Sequence, residues 1–390
     1  MHLELNPYNP GSGLPPKVMG GRQPEIDAFD LLVARTKRGL PNRGMVLSGL
    51  RGVGKTVLLN YLRAHADNQG WFTIWMEGKP EAQSFTEVRE KFARELTTAA
   101  RRYGGARPGE RFKQAIGTIR SFNLSLGVTG LTADVGFKTG RADSGQIDID
   151  LEELVEDISS SLQGDRSGFG IFIDEMQDLD PALLTALISV QHVAGQRGWP
   201  FYIIGAGLPN LPTTLSAART YAERLFDYRI IGPLDQPAAE YAFGRPAQEM
   251  GAAYEPGALA KVVEASGRYP YFIQEFGKAI WEVAPETPFT DADADLAIEV
   301  GRGQLDAGFF PSRWGRATKK EKGYLRAMAQ DGDDGSSTSQ VAERLGVKLN
   351  GLGPTRAQLI SKGLIYSPEY GKVAFTVPGM SGFIQRQHDQ

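Results

Sequence analysis

The octet Gly49-Leu50-Arg51-Gly52-Val53-Gly54-Lys55-Thr56 carries the spacing G-x-x-x-x-G-K-[ST] in full. Glycines at these steps let the backbone curl tightly, so that successive N–H groups and the N-terminus of the next helix face anionic oxygens. Lys55 is expected to reach the β- and γ-phosphates of a nucleotide, and the Thr56 hydroxyl to hold Mg²⁺. Gly49, Arg51, Gly52, Val53, Gly54 and Val57 complete the expected cradle. With 47 glycines in 390 residues, composition alone gives such a match about 0.03 times per chain. The motif therefore points to a bound phosphate tail rather than to a glycine-rich turn.

A second constellation is Ile171-Phe172-Ile173-Asp174-Glu175-Met176-Gln177-Asp178. An apolar run ending in Asp-Glu places both acids at the carboxyl end of a strand, where ligands of open parallel sheets bind. Asp174 is expected to complete the magnesium environment through water. Glu175, beyond the metal, would polarise an attacking water. An enzyme passing phosphate to a small acceptor has no need of that acid, so hydrolysis is the expected reaction.

The elements that must position these groups follow from hydrophobic spacing. Ile26, Phe29, Leu32 and Val33 predict a helix starting near Pro24. Apolar runs at residues 45–48, 71–76, 169–173 and 201–204, with a fifth at 228–231, read as strands separated by helical stretches. That alternation predicts an α/β fold, a parallel sheet with helices on both faces. Period-of-two spacing at Phe122, Leu124, Leu126 and Val128, resuming at Leu131, predicts an inserted β-hairpin over residues 119–138. The first twenty residues read as an irregular arm. Expected domains are a nucleotide-binding core over 1–234, a helical lid over 235–284, a connector over 285–315 and a C-terminal unit over 316–390.

Composition narrows the class. The charge balance is 43 Lys+Arg against 46 Asp+Glu, and cysteine is absent. A basic coat over the whole chain, disulfides, thiolate nucleophiles and Cys-type zinc sites are excluded. Four scattered histidines show no metal-ligand spacing. No apolar run approaches the roughly 18–20 residues of a membrane span. Met1-His2-Leu3-Glu4 does not open like a secretory signal, so a cytoplasmic location away from membranes is expected.

On these residues the chain resembles the AAA+/STAND class of P-loop ATPases, and within it the ATPases grouped with origin-recognition-type initiators. The resemblance implies ATP as the nucleotide. It places Gly21 and Arg22, in Gly20-Gly21-Arg22-Gln23-Pro24-Glu25, near the adenine. It also makes Arg224, ahead of the fifth strand, an arginine finger for a neighbouring subunit, hence a homo-oligomer. Two departures stand out. The fourth strand ends in Gly205-Ala206-Gly207 rather than a polar sensor, with Asn210 further along. In the lid, Pro270 stands where replication-type members carry a sensor arginine, and it would pack on the adenine as in STAND proteins. Arg268 would be the substitute phosphate contact. Both departures imply slow turnover and a nucleotide-controlled switch, the alternative being a non-catalytic regulator that binds ADP or ATP and gathers protein partners.

Residues 313–390 hold 12 Lys+Arg and 7 Asp+Glu, so positive charge concentrates in an otherwise acidic chain. Two helical patterns, capped at Ser336-Ser337-Thr338-Ser339 and opening at Pro354, precede two short strands and resemble a winged helix. Thr355, Arg356, Gln358 and Lys362 would face the major groove or phosphates of double-stranded DNA, with Lys372 on the backbone. A winged helix used only for protein contacts is the other reading.

Overall fold

Five apolar runs become the strands β1 (Gly44–Ser48), β2 (Phe72–Glu77), β3 (Phe169–Asp174), β4 (Phe201–Gly207) and β5 (Phe226–Ile230). The computed structural model describes residues 1–79, 84–104, 110–126 and 141–387. All five strands pair in parallel in the order β2-β3-β4-β1-β5. β1, β3 and β4 are buried along their whole length, the pattern of a sheet covered on both faces. Phe172 of β3 packs on Phe29 of the helix Gln23–Lys37. Its neighbours Ile171 and Ile173 join a cluster with Leu154 and Ile158 of the helix Ile147–Leu162 and Leu183 and Leu187 of the helix Pro181–Arg197. Truncating any of these side chains to Ala costs about 2–5 kcal/mol. Local chemistry sets the helix ends: Asp180 accepts the Ala182 N–H at 3.0 Å, Pro181 opens the helix, and Gly198 closes it at φ 69°.

The inserted hairpin is corrected. Residues 110–125 form one helix, Glu110–Ser125, so the first part of the expected hairpin is helical, and its remainder, 127–138, lies outside the described residues. Ala115, Ile119 and Phe122 are buried at helical spacing. Phe122 meets the Phe92 ring edge-on at 5.7 Å, and Thr118 donates to Asp157 at 2.5 Å.

The chain divides into two compact units. One contains the sheet (24–48 and 58–230), the other comprises 1–23, 49–57 and 231–390. In the second unit the expected irregular arm is anchored. Tyr8 is buried, its hydroxyl donates to the Phe243 carbonyl, and its ring occupies the space that a side chain at Gly277 would fill. The Met1 ammonium donates to the Pro285 carbonyl at 3.0 Å, and the Trp281 indole to that of His2 at 2.9 Å. The lid helices Gln236–Glu249, Pro256–Ala265 and Pro270–Val283 form as expected. The expected connector differs: Thr290 and Asp293 make a capping box, and the helix Asp291–Gln304 buries Ala294 and Ala297 against the lid.

The C-terminal stretch runs as helix Lys319–Ala329, β6 (Ser336–Ser337), helices Thr338–Arg344 and Gly353–Ser361, β7 (Ile365–Tyr366), β8 (Lys372–Phe375) and helix Met380–Arg386. The strands pair antiparallel in the order β6-β8-β7. Ser337 stands at the expected helix start without a capping bond. One apolar cluster extends from Tyr8 through the lid to Ile384, with Phe310 stacked on Phe383 at 5.2 Å. Lid and C-terminal stretch therefore share a core. No described helix is long and apolar enough to cross a membrane.

Candidate nucleotide site

The glycine-rich octet leaves the carboxyl end of β1 and runs into the helix Lys55–Asn68. Gly52 and Gly54 hold φ of 87° and 90°, the left-handed region that L side chains rarely adopt. A methyl on Gly49 would lie 2.1 Å from the Ile231 carbonyl oxygen. The Lys55 ammonium is buried and donates to the carbonyls of Gly49 at 3.0 Å and Leu50 at 2.8 Å. It thus lies across the loop it is expected to serve, beside the N-terminus of the helix that follows.

Arg22, in the segment expected near the adenine, stands just ahead of the helix Gln23–Lys37. Its guanidinium is buried and donates to the carbonyls of Val53 at 2.9 Å and Gly232 at 2.7 Å. That ties the loop to the start of the lid, so Arg22 braces the cradle. Gly21, at φ 66°, packs where a side chain would strike Ala238. Pro270 does reach the loop: its ring lies 3.9 Å from where a Cβ on Gly54 would stand. The next residue, Tyr271, donates its N–H to the Gly52 carbonyl at 3.2 Å. The Tyr271 hydroxyl is pushed upward by burial and by the Glu275 carboxylate to which it donates.

From the C-terminal stretch, the Thr376 carbonyl accepts the Arg51 N–H at 3.0 Å. Gly363, at φ 62°, leaves room for the Arg51 guanidinium. Arg313, stacked over the Phe309 ring at 3.9 Å, is pushed down to about 10 by burial and by the neighbouring Arg51. The phosphate loop is thus held directly by the lid and by the C-terminal stretch.

The acid pair lies at the end of β3. Asp174 is buried, and Glu175 turns into the left-handed region at φ 44°. The Glu175 N–H donates to the Asp174 carboxylate at 3.0 Å. Sequence reasoning passed over Gln177, whose amide donates to Glu175 at 2.7 Å and to Asp178 at 2.9 Å and accepts the Leu208 N–H at 3.1 Å. The small residues ending β4 now have a physical reason. A side chain on Gly205 would strike Met176, and one on Gly207 would strike Gln177. The signal available was Gln three positions after Asp174, paired with glycines at 205 and 207.

Other expected residues divide. Arg224 is exposed in the short helix Ala222–Leu225 ahead of β5, open to a neighbour. Asn210 precedes the helix Leu211–Ala218, with its side-chain oxygen buried and unbonded among the described residues. Arg268 is exposed at φ 61°. Of the residues expected to face DNA, Thr355 is buried, while the partly exposed Lys362 pairs with the buried Glu321 carboxylate at 2.7 Å and the partly exposed Arg356 donates to Ser367 at 2.8 Å. Gln358 and Lys372 are exposed. No group of three or more His, Asp or Glu side chains able to hold a metal occurs among the described residues.

The family described as AAA ATPase domain matches residues 20–204, which include both the phosphate loop and the acid pair. The chain carries an AAA ATPase domain. A separate family, described as a domain of unknown function, matches residues 307–384. No curated protein matches the chain. Among solved structures, the Walker-type ATPase of Pyrococcus abyssi is similar at TM-score 0.57 and 14% identity, covering 94% of this chain and 96% of that one. The Orc1 protein of Aeropyrum pernix, solved in complex with DNA, gives 0.48 and 17%, covering 95% and 93%. The RuvB Holliday junction branch migration motor of Thermotoga maritima gives 0.46 and 15%, covering 93% and 96%. The first of these shares the fold of this chain. The parallel order β2-β3-β4-β1-β5, with the glycine loop after β1 and the acids after β3, is the arrangement this domain uses here.

Proposed function

We propose that this chain binds Mg·ATP at residues 49–57 and hydrolyses it slowly, as a switch whose nucleotide state is felt by the C-terminal stretch. The amides of the loop and Lys55 bind the phosphates. Thr56 and Asp174 supply oxygen donors, which suit Mg²⁺ holding several waters and phosphate oxygens. The metal, when bound, neutralises charge on the transferring phosphoryl group. Glu175 orients and deprotonates the attacking water, and an exposed Arg224 serves a neighbouring copy. The observation that carries the switch is the loop's double grip: Gly52 on Tyr271 and Arg51 on Thr376. Nucleotide that reshapes the loop strains or relieves both contacts. Phosphate release by the purified protein, compared with Glu175→Gln, tests this. The variant is expected to bind ATP and lose turnover, and equal rates would overturn hydrolysis.

The C-terminal order of helix, strand, two helices and hairpin supports a winged helix. The net positive charge of residues 313–390 supports double-stranded DNA as its ligand. A protein partner is the second reading, favoured by a specific observation. The outward positions of the helix Gly353–Ser361 are Pro354, Ala357, Gln358 and Ser361, which carry no cation, while Val347, Leu349 and Tyr370 nearby are exposed. Anisotropy on duplex DNA at two salt concentrations separates these readings. Binding that weakens steeply with salt supports DNA, and no binding at low salt leaves the protein partner.

A further inference from the structure

We infer that Gln177 is a positioning residue that ties the Glu175 carboxylate to the carboxyl end of β4. The inference rests on the hydrolytic reading of Glu175 above. The orientation of the Gln177 amide is decided by its partners. The Leu208 N–H can only donate, so the atom 3.1 Å away is the amide oxygen. Its nitrogen therefore faces Glu175 at 2.7 Å and Asp178 at 2.9 Å, and both are acceptors. All three partners are satisfied by one amide, and no other side chain in the chain's repertoire at this length supplies two donors and an acceptor.

The surroundings are built for this tie. Glu175 sits at φ 44°, a strained conformation for a residue with a side chain. Gly78 donates its N–H to the Asp174 carbonyl at 2.9 Å, and a methyl there would lie 2.2 Å from the Glu175 carbonyl oxygen. At the end of β4, a methyl on Gly207 would lie 2.3 Å from the Gln177 amide oxygen. Strand β4 contributes no polar side chain over residues 203–207. Its backbone, through Leu208, reaches the acid pair by way of Gln177. A carboxylate held at one oxygen keeps the other aligned for water, and the tie makes that alignment depend on where β4 ends.

The experiment measures ATP turnover against pH, and nucleotide affinity, for the full chain with Gln177→Ala, Gln177→Glu, Gly207→Ala and the Gln177→Ala/Gly207→Ala double variant. Removing the tie is expected to lower kcat by up to about 100-fold, the cost of a misplaced reacting group, with KM and affinity for ADP within about twofold. Gln177→Glu, nearly the same shape, sets a second carboxylate against Glu175 and is expected to move the acid limb of the pH–rate profile upward. Gly207→Ala displaces the amide and is expected to lower kcat alone but to add nothing to Gln177→Ala. Full kcat and an unmoved acid limb in Gln177→Glu would overturn the inference, as would additive losses in the double variant. If Gln177→Ala does not fold, Gln177→Glu and Gly207→Ala still decide it. A parent that turns over no faster than Glu175→Gln instead overturns the hydrolytic reading, a separate outcome.

Discussion

Gly54 and Arg22 show how much of the cradle depends on single residues. At Gly54, φ of 90° makes any side chain strained, at a cost of about 1–3 kcal/mol. Gly54→Ala is expected to weaken ADP binding at least tenfold, read with a fluorescent nucleotide; unchanged affinity would contradict the geometry. Arg22→Ala leaves the Val53 and Gly232 carbonyls without this donor, each loss costing about 1–3 kcal/mol. A lower melting temperature and weaker nucleotide binding are expected together, and neither changing would refute a bracing role. The octet was legible because its requirement is local: left-handed backbone demands glycine wherever the loop occurs. Arg22 was legible as a position but not as a role, since its acceptors are 31 and 210 residues away. Gln177 was illegible for the same reason, its Leu208 partner lying 31 residues away, just past the end of β4.

Among elements, strands were read within three residues at each end because buried parallel strands are unbroken apolar runs. The helix Glu110–Ser125 was misread because Phe122 also fits a period of two, while Ala115 and Ile119 complete a period of 3.6 that only packing distinguishes. The N-terminal segment read as irregular because, beyond one short turn at Leu3–Leu5, its order comes from tertiary contacts. Those contacts make a pH prediction. Burial raises Tyr8 and Tyr254 above the ordinary value of 10.0. A raised phenol contributes stability that is fully present below pH 10 and lost as pH rises beyond it. Melting temperature is therefore expected to fall above pH 10, and less steeply in Tyr8→Phe. Glu321 has the opposite sign: burial opposes its ionisation, but Lys362 and the Thr318 bonds hold it below 4.5. Its contribution is present above pH 4.5 and lost as pH falls below it.

At the scale of the molecule, the boundaries expected from composition do not coincide with the folding units. Phe310, Leu305 and Phe383 join lid and C-terminal stretch in one core, so residues 307–384 are a family match without being a separable body. Ending the chain at residue 315 strips that core and is expected to lower the melting temperature and expose apolar surface to dye. A truncated chain as stable as the full one would contradict the shared core. The central claim is that the loop from Gly49 to Thr56 grips a nucleotide's phosphates. Calorimetric titration of Mg·ATP into the intact chain and into Lys55→Ala tests it most directly. The account predicts saturable heat for the first and at least tenfold weaker binding for the second; no heat from the intact chain, or identical heats from both, would contradict it.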